Sequence, residues 1–395
     1  MKQENLNKIV QLRHALHRHP ELSLQENETK ERILRFLKKY TSTLEFETRD
    51  GWFCAVKRGS DPDADEKSAA FRADMDALPI DEEAAGSGTP VHSEITWLSE
   101  HPGISHKCGH DGHCAALCGL ALELDQAECR RTVWLIFQPG EEIGAGGKMC
   151  AGLIREKGIR EIYAFHNLSG YPQGQIVYRR GLTQPASEGL EIRFQGKQSH
   201  ASEPENGVNP AETAAAVVLS IRQLLDRRKM PDGLQKPAED QQGMLLCTIT
   251  GIKVGTGDFG ISPGEGIIRL TLRAEHEEEM KLLERSILAM AEEQAKTAGL
   301  QISHQIFDYF PETRNSGEGI SRILDAAEKL QIPAQEMPEI WRASEDFGWY
   351  LKECPGAMFY IGNGEEWPAL HTKEYDFNDR ILERAVEIFL KLAAE

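Results

Sequence analysis

Two carboxylates, Glu141 and Glu142, stand side by side in VWLIFQPGEEIGAGG, after five apolar or aromatic residues and a Pro-Gly. Adjacent like charges are costly unless something positive sits beside them. A metal centre would supply it. Cys108 and His110 are two apart with a glycine between them, and such residues on an extended or looped backbone face one side. His110 and His113 would share a face only if a helix had already begun. Asp111-Gly112 reads as the helix entry, so the Cys108/His110 pair is preferred. Glu142 or Glu141, His166 just after a strand, and a C-terminal histidine such as His371 complete a thiolate, imidazole and carboxylate set. Such donors suit Zn, Mn, Co or Ni. One glutamate as ligand and its neighbour as proton shuttle to a metal-bound water is the economical division.

The elements that must position these groups follow from the hydrophobic pattern. Ser68–Ala73, Thr132–Phe137 and Ile162–Phe165 read as strands, with helical patterns at Ala115–Leu124 and Gly147–Glu156. Strands alternating with helices imply an α/β sheet that is at least partly parallel. Ligands of such sheets bind beyond the carboxyl ends of the strands. Asp74-Met75-Asp76, Glu141-Glu142 and His166-Asn167 follow those ends. From about residue 184 the texture changes. GLEIRFQGK, MLLCTITGIKVG and GIIRLTLRAEH read as strands, and NPAETAAAVVLSIRQLLDRR and HEEEMKLLERSILAMAEEQAKTAG as long helices. They imply a small α+β module with a surface loop at Met230–Gln242. After about residue 310 the first texture returns, with a helix at Gly319–Leu330, the strand AMFYIG and a last helix from about Asn378. The expected organisation is a discontinuous catalytic domain, 1–183 and 310–395, interrupted by an inserted domain, 184–309.

Composition narrows the function classes. At 395 residues, two domains are expected. With 63 acidic against 45 basic residues the net charge is −18, which argues against nucleic-acid or anionic-membrane partners. No apolar run approaches the ~20 residues of a membrane span, and the N-terminus reads as an amphipathic helix without a signal-peptide core. A cytoplasmic protein is expected. None of the eight cysteines forms C-x-x-C. Cys114 and Cys118 fit buried thiols, whereas Cys108 lies among polar residues and glycines.

Simpler roles account for most other candidates. His14, His17, His92, His101, His276 and His304 read as core or surface histidines, and His106 and His113 as supports of the ligand loop. Arg273 reads as solvated surface. The glycines after Glu142 do not make a phosphate cradle, because no Walker Lys-Ser/Thr follows and two carboxylates repel phosphate. A zinc deaminase is excluded, since no H-x-E precedes a P-C-x-x-C.

The motifs HRHPELS, FRADMDALPI, CGHDGH, FQPGEE, FHN, GKQSHAS, ASEDFG and LHT, in this order, resemble the M20 metallopeptidase family, over about residues 13 to 390. The nearest pattern is its amidohydrolase branch of hippurate, N-acyl-amino-acid and auxin-conjugate hydrolases. The resemblance implies an α/β, mixed-sheet, zinc-peptidase-like catalytic domain with an inserted α+β lid, commonly a homodimer through that lid. It also implies two divalent metal ions per subunit, held by Cys108, His110, Glu142, His166 and His371. Glu141 would be general base and acid for a metal-bound hydroxide attacking an N-acyl amino acid. Asp76 would orient a ligand, and His200 of GKQSHAS would polarise the substrate carbonyl. Asp74 stands where the peptidase branches carry a histidine, which favours the amidohydrolase branch. An M20-type dipeptidase or aminopeptidase is the alternative, and a non-catalytic metal-binding homologue a more distant one.

Overall fold

The computed structural model describes residues 1–82, 97–225 and 243–394. They form two compact units: Met1–Thr183 with Thr313–Ile340 and Glu345–Glu395, and Gln184–Glu312 with Trp341–Ser344. The expected loop at Met230–Gln242 and His92 lie outside the described residues.

Six strands come first: β1 (Glu45–Thr48), β2 (Phe53–Lys57), β3 (Ala69–Asp74), β4 (Val133–Gln138), β5 (Glu161–Ser169) and β6 (Ile176–Tyr178). The chain leaves the first unit through β7 (Gly181–Gln184). The second unit contributes β8 (Ala186–Gln195), β9 (Ser199–His200), β10 (Leu245–Val254), β11 (Ile261–Ser262), β12 (Glu265–Ala274) and β13 (Gln301–Phe310). The chain returns through β14 (Thr313–Asn315), which pairs with β7, and ends with β15 (Ala334–Glu336) and β16 (Gly356–Gly364). The helices of the first segment are α1 (Gln3–Arg18), α2 (Asn27–Tyr40), α3 (His110–Gln126), α4 (Gly146–Cys150) and α5 (Gly152–Lys157). α6 (Ala211–Leu225) and α7 (Glu277–Thr297) belong to the second unit, and α8 (Gly317–Lys329), α9 (Gly348–Leu351) and α10 (Leu382–Ala394) follow.

The first unit is built on a mixed sheet of order β1-β2-β4-β3-β5-β16-β6-β15. β4, β3, β5 and β16 run parallel, flanked by antiparallel pairings at β2 and β6. Every residue of β3 and β4 is buried, as expected of parallel strands covered on both faces. α3 is buried almost throughout and packs with α1 and α10 around Leu117, Leu120, Val386 and Phe389. The single helix expected at Gly147–Glu156 is two short ones, α4 and α5.

In the second unit the sheet order is β10-β12-β8-β13. Residues of β12 alternate between buried and more exposed, so Ile268, Leu270 and Leu272 face Val217 and Ile221 of α6 and Leu283 and Ile287 of α7. β13 was not expected from the sequence; it is an edge strand of mixed composition, with Ile302 and Ile306 packed on the core and most other side chains exposed.

Candidate active site

The ligand loop owes its path to Gly109. Its φ of +96° is open to glycine, and a Cβ there would meet Asn167 Oδ1 at 2.4 Å and the Tyr375 hydroxyl at 2.7 Å. Gly109 also caps α3, so the helix begins at His110, one residue before the Asp111-Gly112 entry expected. His110 and His113 therefore do lie on one helix. His113 Nδ1 is 2.6 Å from Asp74 and its Nε2 2.8 Å from Asn167, which makes it a strut between β3 and β5. His106 is buried with no hydrogen-bond partner for either ring nitrogen, so it supports the loop by packing alone. Burial pulls its imidazole down to about 4.

His166 lies inside β5 rather than after it. β3 pairs with β5 only from Ala69–Glu161 to Arg72–Ala164, so that side of β5 is open at His166. Its Nδ1 meets the Asn167 carbonyl at 2.7 Å, and its Nε2 lies 3.4 Å from Cys108 Sγ. Burial, and next His113, hold this imidazole well below its usual range, which keeps it neutral.

His110 is fixed from below. Its Nδ1 is 2.9 Å from the Asp76 carbonyl and 3.2 Å from the Asp76 carboxylate. Its Nε2 is buried without a hydrogen-bond partner, as is Glu142 Oε1, with which it makes only a long ion-pair approach of 3.8 Å. Buried polar atoms left open in this way are costly unless something else binds them. Glu142 Oε1 also lies 3.6 Å from Nε2 of His371, whose ring is half exposed and whose φ is +63°. A non-glycine residue in that region stores on the order of 1–3 kcal/mol, and such strain clusters at functional sites.

The donor atoms assemble into two triads that share the thiol: Cys108, His110 and His166, and Cys108, Glu142 and His371. Burial, and then the carboxylates of Glu142, Glu141 and Asp74, push the Cys108 thiol well up. A coordinating cation reverses that by deprotonating the sulfur. Burial works against charge on His110, but Asp74, Asp76 and Glu142 push its imidazole up to about 10. Without a metal, that proton is what offsets the carboxylates. The donor set, its open atoms and its surplus negative charge fit a pair of divalent cations.

Glu141 is buried, 4.0 Å from His110 Nε2 through Oε2. Burial, then Glu345 and Glu142, push its carboxyl well above the usual range, and Arg72 only partly offsets them. Such a shift suits a group that takes up and returns a proton. Asp76 shares its other carboxylate oxygen between Ser23 Oγ, at 2.7 Å, and the Glu142 backbone N–H, at 2.9 Å.

A second buried group lies outside the expected set. Arg72 donates to Asp74 at 2.6 Å, Gln138 at 2.9 Å and Asp346 at 2.8 Å, with Glu345 3.0 Å away. Asp346 also accepts the Gly147 N–H at 2.6 Å, and a Cβ on Gly147 would meet the Asp346 carbonyl at 2.4 Å. The glycines after Glu142 thus admit a carboxylate of this chain. ASEDFG was legible as a motif, but nothing in its spacing named Arg72 as its partner.

His200 belongs to the second unit, where β9 pairs with β11. Its ring is exposed, and Nδ1 lies 2.7 Å from Ser202 Oγ. Arg273 is not the solvated residue expected. Its guanidinium donates to the Arg342 carbonyl at 3.1 Å and to Ser344 Oγ at 2.6 Å, and burial lowers its pKa.

Fold and site together define a metallohydrolase with paired metal positions at the carboxyl ends of a mixed sheet. The chain belongs to peptidase family M20/M25/M40, whose model matches residues 70–395. It is 30% identical to an N-acetylcysteine deacetylase of Bacillus subtilis over 98% of this chain and 96% of that one. It is 27% identical to the hippurate hydrolase of Campylobacter jejuni over 97% and 94% of the two chains. Among solved structures it is similar to the Bacillus subtilis YXEP protein, described as a dinuclear metal-binding peptidase of the M20 family. That match has a TM-score of 0.78 and 26% identity, over 100% of this chain and 98% of that one. No helix among the described residues is long and apolar enough to cross a membrane.

Proposed function

We propose that this chain hydrolyses the amide bond of N-acylated amino acids in a metal-dependent reaction with Glu141 as general base and acid. The observation that carries the reading is the pair of donor triads sharing Cys108 beside the buried Glu141. Relatives named for N-acetylcysteine, hippurate and N-acetyldiaminopimelate support the substrate class, since each compound is an N-acyl amino acid.

In this reading Cys108, His110 and His166 hold one divalent cation, and Cys108, Glu142 and His371 hold the other. Zn, Mn, Co and Ni all suit the donors. Bound there, such cations lower the pKa of water and polarise a carbonyl. Glu141 removes the proton of the attacking water and delivers it to the leaving amine nitrogen. Asp76 holds the tautomer and orientation of His110. His200 donates to the carbonyl oxygen as charge develops there, the kind of stabilisation that contributes most to such reactions. The second unit serves as the inserted lid, expected from the sequence at 184–309. Leu219 on α6 and Leu246 and Ile252 on the edge strand β10 are exposed, which supports a homodimer formed through it. Eight free cysteines fit a reducing, cytoplasmic setting.

The test is a hydrolysis screen on metal-free protein reloaded with Mn, Zn, Co or Ni. Its substrates are hippurate, several N-acetyl-amino acids, an acyl-glutamate and two unblocked dipeptides. Metal-dependent cleavage of the blocked substrates is expected. Cleavage of dipeptides alone would move the chain to the peptidase branch.

A further inference from the structure

Lys107 precedes Cys108 and is buried, with 2% of its side chain exposed. Burying an ammonium is unfavourable unless its donors are all used. One partner is the carboxylate of Glu82, and a structural ion pair would need nothing more. Lys107 does more. Its ammonium donates to the Tyr375 carbonyl at 2.6 Å, and its own carbonyl accepts the His371 N–H at 2.8 Å. One residue therefore grips both ends of the segment from His371 to Tyr375. The far end is anchored again by the Tyr375 hydroxyl, which accepts from Asn167 at 2.6 Å.

That segment carries the one exposed side chain of the donor set. Cys108, His110 and His166 are buried, Glu142 is mostly so, and packing places their atoms. The His371 ring is half exposed on a left-handed backbone, so packing alone does not set its place 3.6 Å from Glu142. Its backbone must, and Lys107 is what that backbone is tied to.

We infer that Lys107 is a positioning residue for the cation held by Cys108, Glu142 and His371, clamping the His371–Tyr375 segment to the Cys108 loop. The inference rests on the ligand reading above. Lys107 makes no contact with substrate in this role and sets the distance between the shared sulfur and the exposed imidazole.

The experiment is calorimetric titration of metal-free protein with Mn²⁺ and with Zn²⁺, alongside thermal unfolding of the same metal-free samples. Lys107→Met is expected to weaken one of two sites by about 10–100-fold, the usual loss when a ligand's support is removed. The other site should stay within about threefold of the parent. His371→Ala should lose the same site, which identifies it. Equal weakening of both sites, or a lowered unfolding temperature with both affinities unchanged, would overturn the clamp in favour of a plain buried ion pair. If the Met variant does not fold, Lys107→Gln, polar but too short to reach Tyr375, is read the same way. Retention of both sites in His371→Ala would refute the ligand reading itself, a result distinct from any given by the Lys107 variants.

Discussion

Asp76 touches His110 twice, through its main-chain carbonyl and its carboxylate, and the same carboxylate accepts the backbone N–H of Glu142. One residue at the end of β3 thereby sets the orientation of a histidine on α3 and of the turn after β4. Asp76→Ala should lower metal affinity by about 10–100-fold, the range found when a ligand's supporting carboxylate is lost. Competition against a chelator of known affinity measures it. Unchanged affinity with reduced turnover would assign Asp76 to the reaction instead.

Glu141 and Glu142 are neighbours with different environments, and substitution should separate them. Glu141→Gln should keep both metal equivalents while turnover falls by about 10²–10⁴-fold. Glu142→Gln should lose metal first. Turnover close to the parent's in Glu141→Gln would remove Glu141 from its role, whatever the metal content.

Because Cys108 enters both triads, its loss should not resemble the loss of a ligand that serves one. Cys108→Ser is expected to weaken both metal equivalents, whereas His166→Ala and His371→Ala should each weaken one. Elemental analysis after dialysis against a weak chelator distinguishes the patterns. A serine variant holding two equivalents as firmly as the parent would mean the sulfur is not a ligand.

His17 supplies a pH-dependent contribution to stability beneath the ligand loop. Its ring lies 2.8 Å from Asp111 and 2.9 Å from Glu82. Burial opposes its charge, but Asp376, Asp111 and Glu82 push its pKa up to about 9. The folded value is above the unfolded one of about 6.5, so the ionised ring stabilises fully below that pH. The contribution, on the order of 3 kcal/mol, disappears as pH rises through about 9. Urea midpoints of the metal-free protein should fall between pH 7 and pH 9, and His17→Gln should flatten that slope. Identical slopes would mean that His17 is not ionised in the folded chain.

Glu142 could be singled out because β4, buried throughout, reads as an unbroken apolar run up to Gln138. Whereas Cys108, His110 and His371 are marked by residue type and motif, the Asp-Met-Asp at the end of β3 stands out as Glu142 does, even with Arg72 inside the strand. His166 was found for the same reason but misplaced, since its strand continues beyond the point where its neighbour stops. α2, NETKERILRFLKKY, was passed over because its charges mask the narrow apolar stripe of Ile33, Leu34 and Leu37. β13 escaped because polar residues interrupt its apolar ones, so no clean alternation marks this edge strand. The start of α3 was misjudged because Gly109 caps it through backbone conformation, without a side-chain cap to read. Arg72 with Asp346, and Lys107 with Tyr375, are contacts between distant segments, which spacing along the chain does not reveal.

β7 and β14 are hydrogen-bonded neighbours, so the chain leaves the first unit and re-enters it at nearly the same place. Whatever lies between them is topologically a loop on a closed ladder. The entropic cost of lengthening such a loop rises only with the logarithm of its length, about 0.6 kcal/mol per doubling. Lengthening the intervening segment therefore costs the first unit little in loop closure. Insertions there can accumulate without opening the ladder that closes the first unit.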